Sequence, residues 1–198
     1  MFLTAPTVPG GQPRRASHER SGPEDSHLRH RIGHDASMRV VVMGVSAAGK
    51  SAVGQATAAV LGLDFVDGDD LHPPANVAKM ASGQPLSDGD RQPWLDRIGR
   101  RLASSTDGIV IACSALKATY RAQIRTQALQ PIRFIHLDVA RDALNQRLAT
   151  RTGHFMPASL LDDQLATLEW PGEEADVTVI DANMPLDDVV NAVLTSLR

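Results

Sequence analysis

The sequence predicts a single α/β domain built on a parallel sheet. Five short apolar segments recur between residues 39 and 181, and stretches with helical spacing of their apolar residues separate them. Strands that alternate with helices form parallel sheets, because the chain must cross back before the next strand can begin. A chain of 198 residues is long enough to bury a substantial core in one domain.

The strands are predicted from their apolar, β-branched composition. The first reads RVVVMGV and the third GIVIAC, and neither alternates with polar residues, which is typical of strands buried on both faces. The other three, DFVD, RFIHLDV and DVTVID, carry an aspartate at or near the carboxyl end. The predicted strands are residues 39–45, 64–67, 108–113, 133–139 and 176–181.

The helices are predicted from apolar spacing together with terminal signals. Gly62 suits the C-terminal cap of the first helix, and Pro73 and Pro93 suit the first turns of the next two. The predicted helices are residues 51–61, 73–81, 93–105, 117–129, 141–151, 159–168 and 186–197.

Residues 1–37 differ from the rest of the chain. They are rich in Pro, Gly, Ser and Arg and lack apolar periodicity. Such a segment buries too little apolar surface to offset its ordering entropy, so we predict a disordered leader followed by one domain over residues 38–198. Met38 directly precedes the first strand, and an alternative is that translation starts there and the leader is a start-site artefact.

Composition argues against several classes of protein. The net charge of −3 provides no basic field for nucleic acid. No apolar run reaches the roughly 18 residues of a membrane span, and no secretory signal is recognised, so we expect a cytoplasmic protein. Cys113 is the single cysteine, which precludes an internal disulfide, and we expect it to be a small buried residue rather than a nucleophile.

A phosphate-binding loop follows the first strand. Its sequence GVSAAGKS has the frame G-x-x-x-x-G-K-S between a strand and a helix, where backbone N–H groups can point at phosphates. Lys50 is suited to reach the β and γ oxygens, and Ser51 to offer its hydroxyl to Mg²⁺. The residues expected to bind the nucleotide here are Gly44, Val45, Ser46, Ala47, Ala48, Gly49, Lys50 and Ser51.

This loop does not select a reaction, since kinases, GTPases and motors share it. The N-K-x-D motif of GTPases is absent from the sequence, and a motor usually needs a longer chain. Ala47 and Ala48 stand in the middle of the loop. Alanine keeps the backbone N–H groups but is penalised at positive φ, so we predict negative φ at both positions.

Three aspartates, Asp67, Asp138 and Asp181, lie at strand ends, and each could stand beside magnesium. Only Asp67 has a second carboxylate two residues on, Asp69, with Gly68 between them for close approach. If the strand continued, alternation would put both carboxylates on one side. One could then hold Mg²⁺ through water, and the other could accept the proton of an attacking hydroxyl. The alternative is that D-G-D-D is only a turn.

Cationic residues follow the later strands. Arg91, Lys117 and Arg121 are predicted near the carboxyl edge of the sheet, where they could hold a carboxylate or could simply be solvated. Arg147 and Arg151 share one helix face and precede a Gly-His-Phe-Met-Pro loop. That loop suggests a lid around residues 147–160, which would exclude water from the reaction.

Taken together, the motifs GVSxxGKS, DGDxLHPxxNxxKMxxGxPLxDxDRxPWL, CSALKxxYR and GHF resemble the gluconokinase family of P-loop small-molecule kinases, over roughly residues 39–195. The resemblance implies transfer of the γ-phosphate of ATP to the 6-hydroxyl of D-gluconate, with Mg²⁺ as cofactor. It also implies a three-layer P-loop kinase fold like that of nucleoside monophosphate kinases and shikimate kinase, with a five-stranded sheet in the order 2-3-1-4-5 and a small lid. A homodimer is a further implication.

The resemblance also assigns roles residue by residue. Those implied in catalysis are Lys50, Asp69 and Arg151. Those implied in ATP binding are the loop residues 44–51 and Arg147, which would lie against adenine. Those implied in gluconate binding are Asp69, His72, Arg91, Lys117 and Arg121. Those implied in magnesium binding through water are Ser51 and Asp67.

Several alternatives stay open. The loop alanines and Asp70 depart from the family pattern and put affinity in question. His72 could instead serve a structural role where a helix begins, and Trp94 could be core or a wall beneath the site. The chain could phosphorylate another small acceptor on the same scaffold, or bind nucleotide as a regulator without turnover.

Overall fold

The computed structural model describes residues 38–150 and 158–198. The predicted leader and residues 151–157 of the predicted lid, with Arg151, lie outside these ranges. The strands are β1 Arg39–Met43, β2 Asp64–Asp67, β3 Ile109–Ala112, β4 Arg133–Asp138 and β5 Val177–Asp181. The helices are α1 Lys50–Leu61, α2 Pro74–Ala81, α3 Asp88–Ala103, α4 Ala118–Ala128, α5 Arg141–Thr150, α6 Ala158–Thr167 and α7 Leu186–Ser196. A 3-10 turn spans Gly68–Leu71.

The five strands form one parallel sheet in the order β2-β3-β1-β4-β5, which confirms the predicted topology. The register aligns the carboxyl ends of three neighbouring strands. Ala112 of β3 lies opposite Asp67 of β2 on one side and Val42 of β1 on the other. The loops that leave these strands therefore emerge side by side, as expected at the carboxyl edge of an open parallel sheet.

The sheet is covered on both faces, which explains why β1 shows no alternation. Val40 and Val42 pack in a cluster with α1 and α7, whereas Val41 and Met43 pack in a second cluster with α3 and α4. All of β1 is buried, so both faces require apolar side chains. The result is three layers, helices–sheet–helices. Among the described residues, no helix is long and apolar enough to cross a membrane.

Helix α3 begins at Asp88, five residues before the predicted start at Pro93, so that prediction is wrong. Ser87 and Asp90 form a reciprocal capping box that satisfies the first N–H groups of the helix. Pro93 lies inside the helix, near its start. The capping residues, rather than the proline, decide where the helix begins.

Gly68 lets β2 and β3 approach closely at the point where the site forms. A Cβ atom at this position would lie 2.4 Å from the carbonyl oxygen of Ala112, closer than real side chains come. The 3-10 turn can therefore pack directly over the end of β3, which brings Asp67 and Asp69 toward the neighbouring loops.

Candidate active site

Three loops meet at the carboxyl edge of the sheet. They are the phosphate loop (residues 44–51) after β1, the 3-10 turn after β2, and the acceptor loop (residues 113–117) after β3. The N–H of Gly44 donates to the carbonyl of Ser114 at 3.3 Å, which joins the phosphate loop to the acceptor loop. Residues from three separate motifs are thus brought into one region by parallel strand pairing.

Ala47 adopts φ +63° in the phosphate loop, so the prediction of negative φ at both alanines is wrong for this residue. Ala48 is not in the positive-φ region. The carbonyls of both alanines accept hydrogen bonds from Arg147, at 3.4 and 3.3 Å, which holds the loop in place. Tertiary contacts of this kind outweigh the roughly 1–2 kcal/mol cost of a left-handed alanine.

Ser51 and Asp67, which come from separate motifs, lie in direct contact. The Ser51 hydroxyl donates to Oδ2 of Asp67 at 2.6 Å. The other carboxylate oxygen, Oδ1, accepts from the backbone N–H of Asp69 at 3.1 Å. The carboxylate is held from both sides, with two oxygen-bearing side chains adjacent. Lys50, beside Ser51, folds back so that its ammonium donates to the carbonyl of Val45 at 3.0 Å.

Asp69 lies in the 3-10 turn and is exposed. The strand ends at Asp67, so the alternation argument for a shared side does not apply beyond that residue. Asp67 instead orients Asp69 through the backbone, because its side chain caps the turn. The exposed carboxylate of Asp69 stands at the carboxyl edge next to the Ser51–Asp67 pair.

Trp94 and His72 form the floor of the 3-10 turn. The indole N–H of Trp94 donates to the carbonyl of Gly68 at 2.7 Å, and the ring is 2% exposed. His72 stacks on it with ring centroids 4.3 Å apart. Burial lowers the pKa of His72, which favours the neutral ring. Its contacts support the structural alternative, and its role toward substrate stays a prediction.

Arg91 and Lys117 converge on one carboxylate, that of Asp88. The Lys117 ammonium lies 2.7 and 3.0 Å from its two oxygens, and a guanidinium nitrogen of Arg91 lies 3.9 Å away. The hydroxyl of Tyr120 also donates to Asp88. Lys117 is the main reason that the pKa of Asp88 lies below its ordinary value. Lys117 thus holds a carboxylate directly, and Arg91 lies close to the same group.

Arg121 is enclosed within the protein, which contradicts its expected role in gluconate binding. The side chain is 1% exposed. Its five N–H groups have five acceptor contacts, two on Glu174 and one each on the carbonyls of Ala115, Leu116 and Glu169. No donor is left for a ligand, so Arg121 fastens the acceptor loop to the segment before β5.

Two residues touch the phosphate loop from distant helices. Arg147, near the end of α5, also donates to the carbonyl of Ala182 at 2.7 Å, which ties the loop to the end of β5. Its predicted contact with adenine stays a prediction. On α6, the side-chain carbonyl of Gln164 accepts from the N–H of Ser46 at 2.6 Å.

Sequence reasoning missed Gln164, Tyr120 and Asp88 as site residues. Gln164 had a weak signal, since it is a polar residue among the leucines of α6. Tyr120 and Asp88 fall inside the quoted motifs, which carried no information about which residue pairs with which. Cys113, by contrast, matches expectation, because burial raises the pKa of its thiol to about 12 and keeps it protonated.

Comparisons with known proteins place this constellation in a family. A family model described as an AAA domain matches residues 40–171. The gluconokinase of Gluconobacter oxydans (strain 621H) is 48% identical over 158 residues, which cover 78% of this chain and 88% of the relative. The chain belongs to the gluconokinase family.

Solved structures agree with the gluconokinase family and its fold. A gluconokinase from Sinorhizobium meliloti 1021 superposes with a TM-score of 0.76 at 46% identity, and the match covers 83% of this chain and 93% of that one. The shikimate kinase of Aquifex aeolicus superposes with a TM-score of 0.53 at 16% identity, covering 81% and 96% respectively. At that identity the likeness concerns the fold alone, and it confirms the predicted kinase architecture.

Proposed function

We propose that this protein is an ATP-dependent gluconokinase, which transfers the γ-phosphoryl group of ATP to the 6-hydroxyl of D-gluconate and releases 6-phospho-D-gluconate and ADP. The observation that carries the proposal is that a site for phosphate and a site for a carboxylate lie at the same edge of the sheet. A phosphate loop with the Ser51–Asp67 pair shares this edge with Lys117, which already binds a carboxylate, and with Arg91 close to that carboxylate. Membership of the gluconokinase family supports gluconate as the acid.

On the donor side, the phosphate loop holds the triphosphate through its N–H groups and the N-terminus of α1. Ser51 and Asp67 fit Mg²⁺, since they offer adjacent oxygen atoms and this ion prefers oxygen ligands while keeping several waters. Bound there, Mg²⁺ would neutralise charge on the phosphates. Lys50 moves from the Val45 carbonyl to the β and γ oxygens, and Arg151 and Arg147 complete the proposed ATP contacts.

On the acceptor side, Lys117 and Arg91 exchange Asp88 for the carboxylate of gluconate. Asp69 then accepts the proton of the gluconate 6-hydroxyl while the oxygen of that hydroxyl forms a bond to the γ-phosphorus. The bond from that phosphorus to the bridging oxygen breaks, and ADP leaves with the electron pair. His72, whose ring is neutral, would bind gluconate beside Asp69.

An acceptor screen tests the proposed function. Purified protein with ATP and Mg²⁺ is assayed for ADP release with gluconate, other sugar acids, shikimate and nucleoside monophosphates. We expect release with gluconate. Turnover of shikimate or a nucleotide with gluconate untouched would instead identify another small-acceptor kinase. ATP binding without ADP release on any acceptor would identify a regulator.

We further propose a cytoplasmic homodimer. Consumption of ATP and the buried free thiol of Cys113 suit the cytoplasm. Light scattering of the purified protein tests the dimer.

A further inference from the structure

Helix α6 and the segment that follows it touch both the donor side and the acceptor side of the site. We call residues 158–174 the α6 strut. Its helical part accepts the N–H of Ser46 on the Gln164 side chain, at 2.6 Å. Past the helix, Glu169 donates its N–H to the carbonyl of Leu116 at 2.9 Å and accepts the N–H of Ala118 on its carboxylate at 2.7 Å.

The contact of Gln164 suits a loop that must receive an anion. The amide oxygen satisfies one N–H of the phosphate loop without adding a charge that would repel phosphate. A carboxylate at the same place would compete with the ligand. The residue type is therefore matched to positioning the loop.

The contact of Glu169 supplies a helix cap that Lys117 cannot provide. Lys117 occupies the N-cap position of α4, where Ser, Thr, Asp or Asn usually accepts the first N–H groups, and an ammonium has no acceptor. Glu169 replaces the missing acceptor and places a negative charge at the helix N-terminus, which is favourable. The cap therefore fixes the backbone next to Lys117, whose ammonium holds the carboxylate of Asp88.

Arg121 makes the α6 strut rigid at its acceptor end. This buried guanidinium bonds to Glu169 and Glu174 of the strut and to Ala115 and Leu116 of the acceptor loop. Glu169 and Glu174, the two residues of the strut that Arg121 holds, therefore move together with the acceptor loop unless these hydrogen bonds break. The phosphate loop is coupled to the same body through Gln164.

We propose that the α6 strut holds the donor and acceptor sites in register, with Gln164 positioning the phosphate loop and Glu169 positioning Lys117. This inference rests on the proposed function, since it assigns ATP to one end and the acid substrate to the other. Neither residue touches the reacting atoms in this arrangement, so both are positioning residues.

Steady-state kinetics of single variants test the two ends. Gln164→Met removes the acceptor at similar length and should raise the KM for ATP about fivefold, the effect of one lost hydrogen bond, with the KM for gluconate unchanged. Glu169→Ala should raise the KM for gluconate by a similar factor, and Glu169→Gln, which keeps an acceptor oxygen, should restore most of the affinity. Asp163→Asn and Glu173→Ala are matched controls on exposed positions of the strut.

The double variant Gln164→Met/Glu169→Ala tests the register itself. Misalignment of the two sites should also lower kcat in each single variant. Once one anchor is lost, the strut no longer aligns the sites, so the combined loss in kcat should be smaller than the product of the single losses in kcat. Losses that multiply would overturn the coupling. Lower melting temperatures with both KM values unchanged would overturn positioning at both ends.

These results are separable from the proposed function. A wild-type protein that leaves gluconate untouched contradicts the function. Equilibrium ATP binding then still judges the donor end, because Gln164→Met should weaken ATP about fivefold relative to the Asp163→Asn control. Equal affinity of the two variants would contradict the donor half of the strut.

Discussion

At the residue scale, the site depends on single side chains that each carry one task. Lys50 and Asp69 illustrate this, because we propose that one binds the phosphates and the other accepts the proton of the substrate hydroxyl. Asp67 lies between them in the site, since its carboxylate bonds to the hydroxyl of Ser51 and to the backbone N–H of Asp69. Removing either group should therefore affect the chemistry more than the fold.

We expect Lys50→Ala and Asp69→Ala each to lose most turnover, on the order of 10²- to 10⁴-fold for the loss of a general base at Asp69. Coupled ADP release measures kcat, and circular dichroism checks that both variants fold. Exposed Asp70 beside it is the matched control, and Asp70→Ala should retain activity. Equal losses at both aspartates would contradict the assignment to Asp69.

The pH profile gives an independent test of Asp69. The proposed base works only when ionised, so the rate should fall at low pH in the wild-type protein. In Asp69→Asn that limb should vanish and leave a small, flat residual rate. A variant that kept the wild-type limb would exclude Asp69 as the base.

At the element scale, helix termini decide where functional residues lie. Helix α3 begins early because Ser87 and Asp90 cap it, and this places Asp88 and Arg91 in the first turn beside the acceptor loop. Helix α4 is capped from outside by Glu169, which leaves Lys117 available. In both helices the capping residues lie next to residues that we propose bind the substrate, so we expect loss of a cap to disturb those residues as well.

The cap of α3 should make stability depend on pH. The pKa of Asp90 lies well below its ordinary value of 3.8, first because Lys79 donates to it and then because Ser87 does. As the pH falls below 3.8, Asp90 is protonated in the unfolded chain before it is protonated in the folded protein. The stabilising contribution of this carboxylate is therefore present at neutral pH and is lost in acid.

Thermal unfolding between about pH 6 and pH 2, the range in which carboxylates titrate, measures this dependence. The melting temperature of Asp90→Asn should fall less over this range than that of the wild type. Asp107→Asn, at an exposed position outside the helices, is the control and should decline like the wild type. Parallel curves for wild type and Asp90→Asn would contradict the prediction.

Leu129 offers a stabilising change at the end of α4. It caps the helix at φ +56° and its side chain is 79% exposed. Glycine has no Cβ to strain in this conformation, so Leu129→Gly should raise the free energy of unfolding by about 0.5–1 kcal/mol. Urea denaturation measures it. Leu129→Ala keeps the strain and removes the exposed apolar surface, so it should give no such gain.

At the scale of the whole molecule, the sheet edge and the buried arginine network assemble the site. Parallel pairing brings the phosphate loop, the 3-10 turn and the acceptor loop together. Arg121 and Arg125 both bond to Glu174 and so connect α4 with the segment before β5. A change in this network should act on global stability, because it joins elements that are distant in sequence.

We expect Arg121→Met to lower the free energy of unfolding by about 3 kcal/mol, since it removes the donors to one carboxylate oxygen of Glu174 and to the carbonyls of Ala115, Leu116 and Glu169. Chemical denaturation measures the change. Arg97→Met, at the exposed surface of α3, is the control and should change stability little. Unchanged stability with a raised KM for gluconate would restore Arg121 to the substrate site.

Much of this protein follows from patterns within short windows of sequence. Apolar runs and helical spacing predicted the elements and the α/β class, and the loop frame predicted the phosphate site, because each depends on residues that are neighbours in the chain. That residues following different strands meet at one edge could also be expected, since parallel strands bring their carboxyl ends together.

The remaining features depend on contacts between residues far apart in the chain. Gln164 meets Ser46 across 118 positions, and Arg121 meets Glu174 across 53. Likewise, Ala47 takes a left-handed conformation because Arg147 and the surrounding elements hold the loop. Local pattern reports which residue types are present, whereas burial and hydrogen-bond partners arise only when the elements pack. Packing therefore decided that Lys117 and Arg91 stay partly exposed at the sheet edge whereas Arg121 is enclosed in the core.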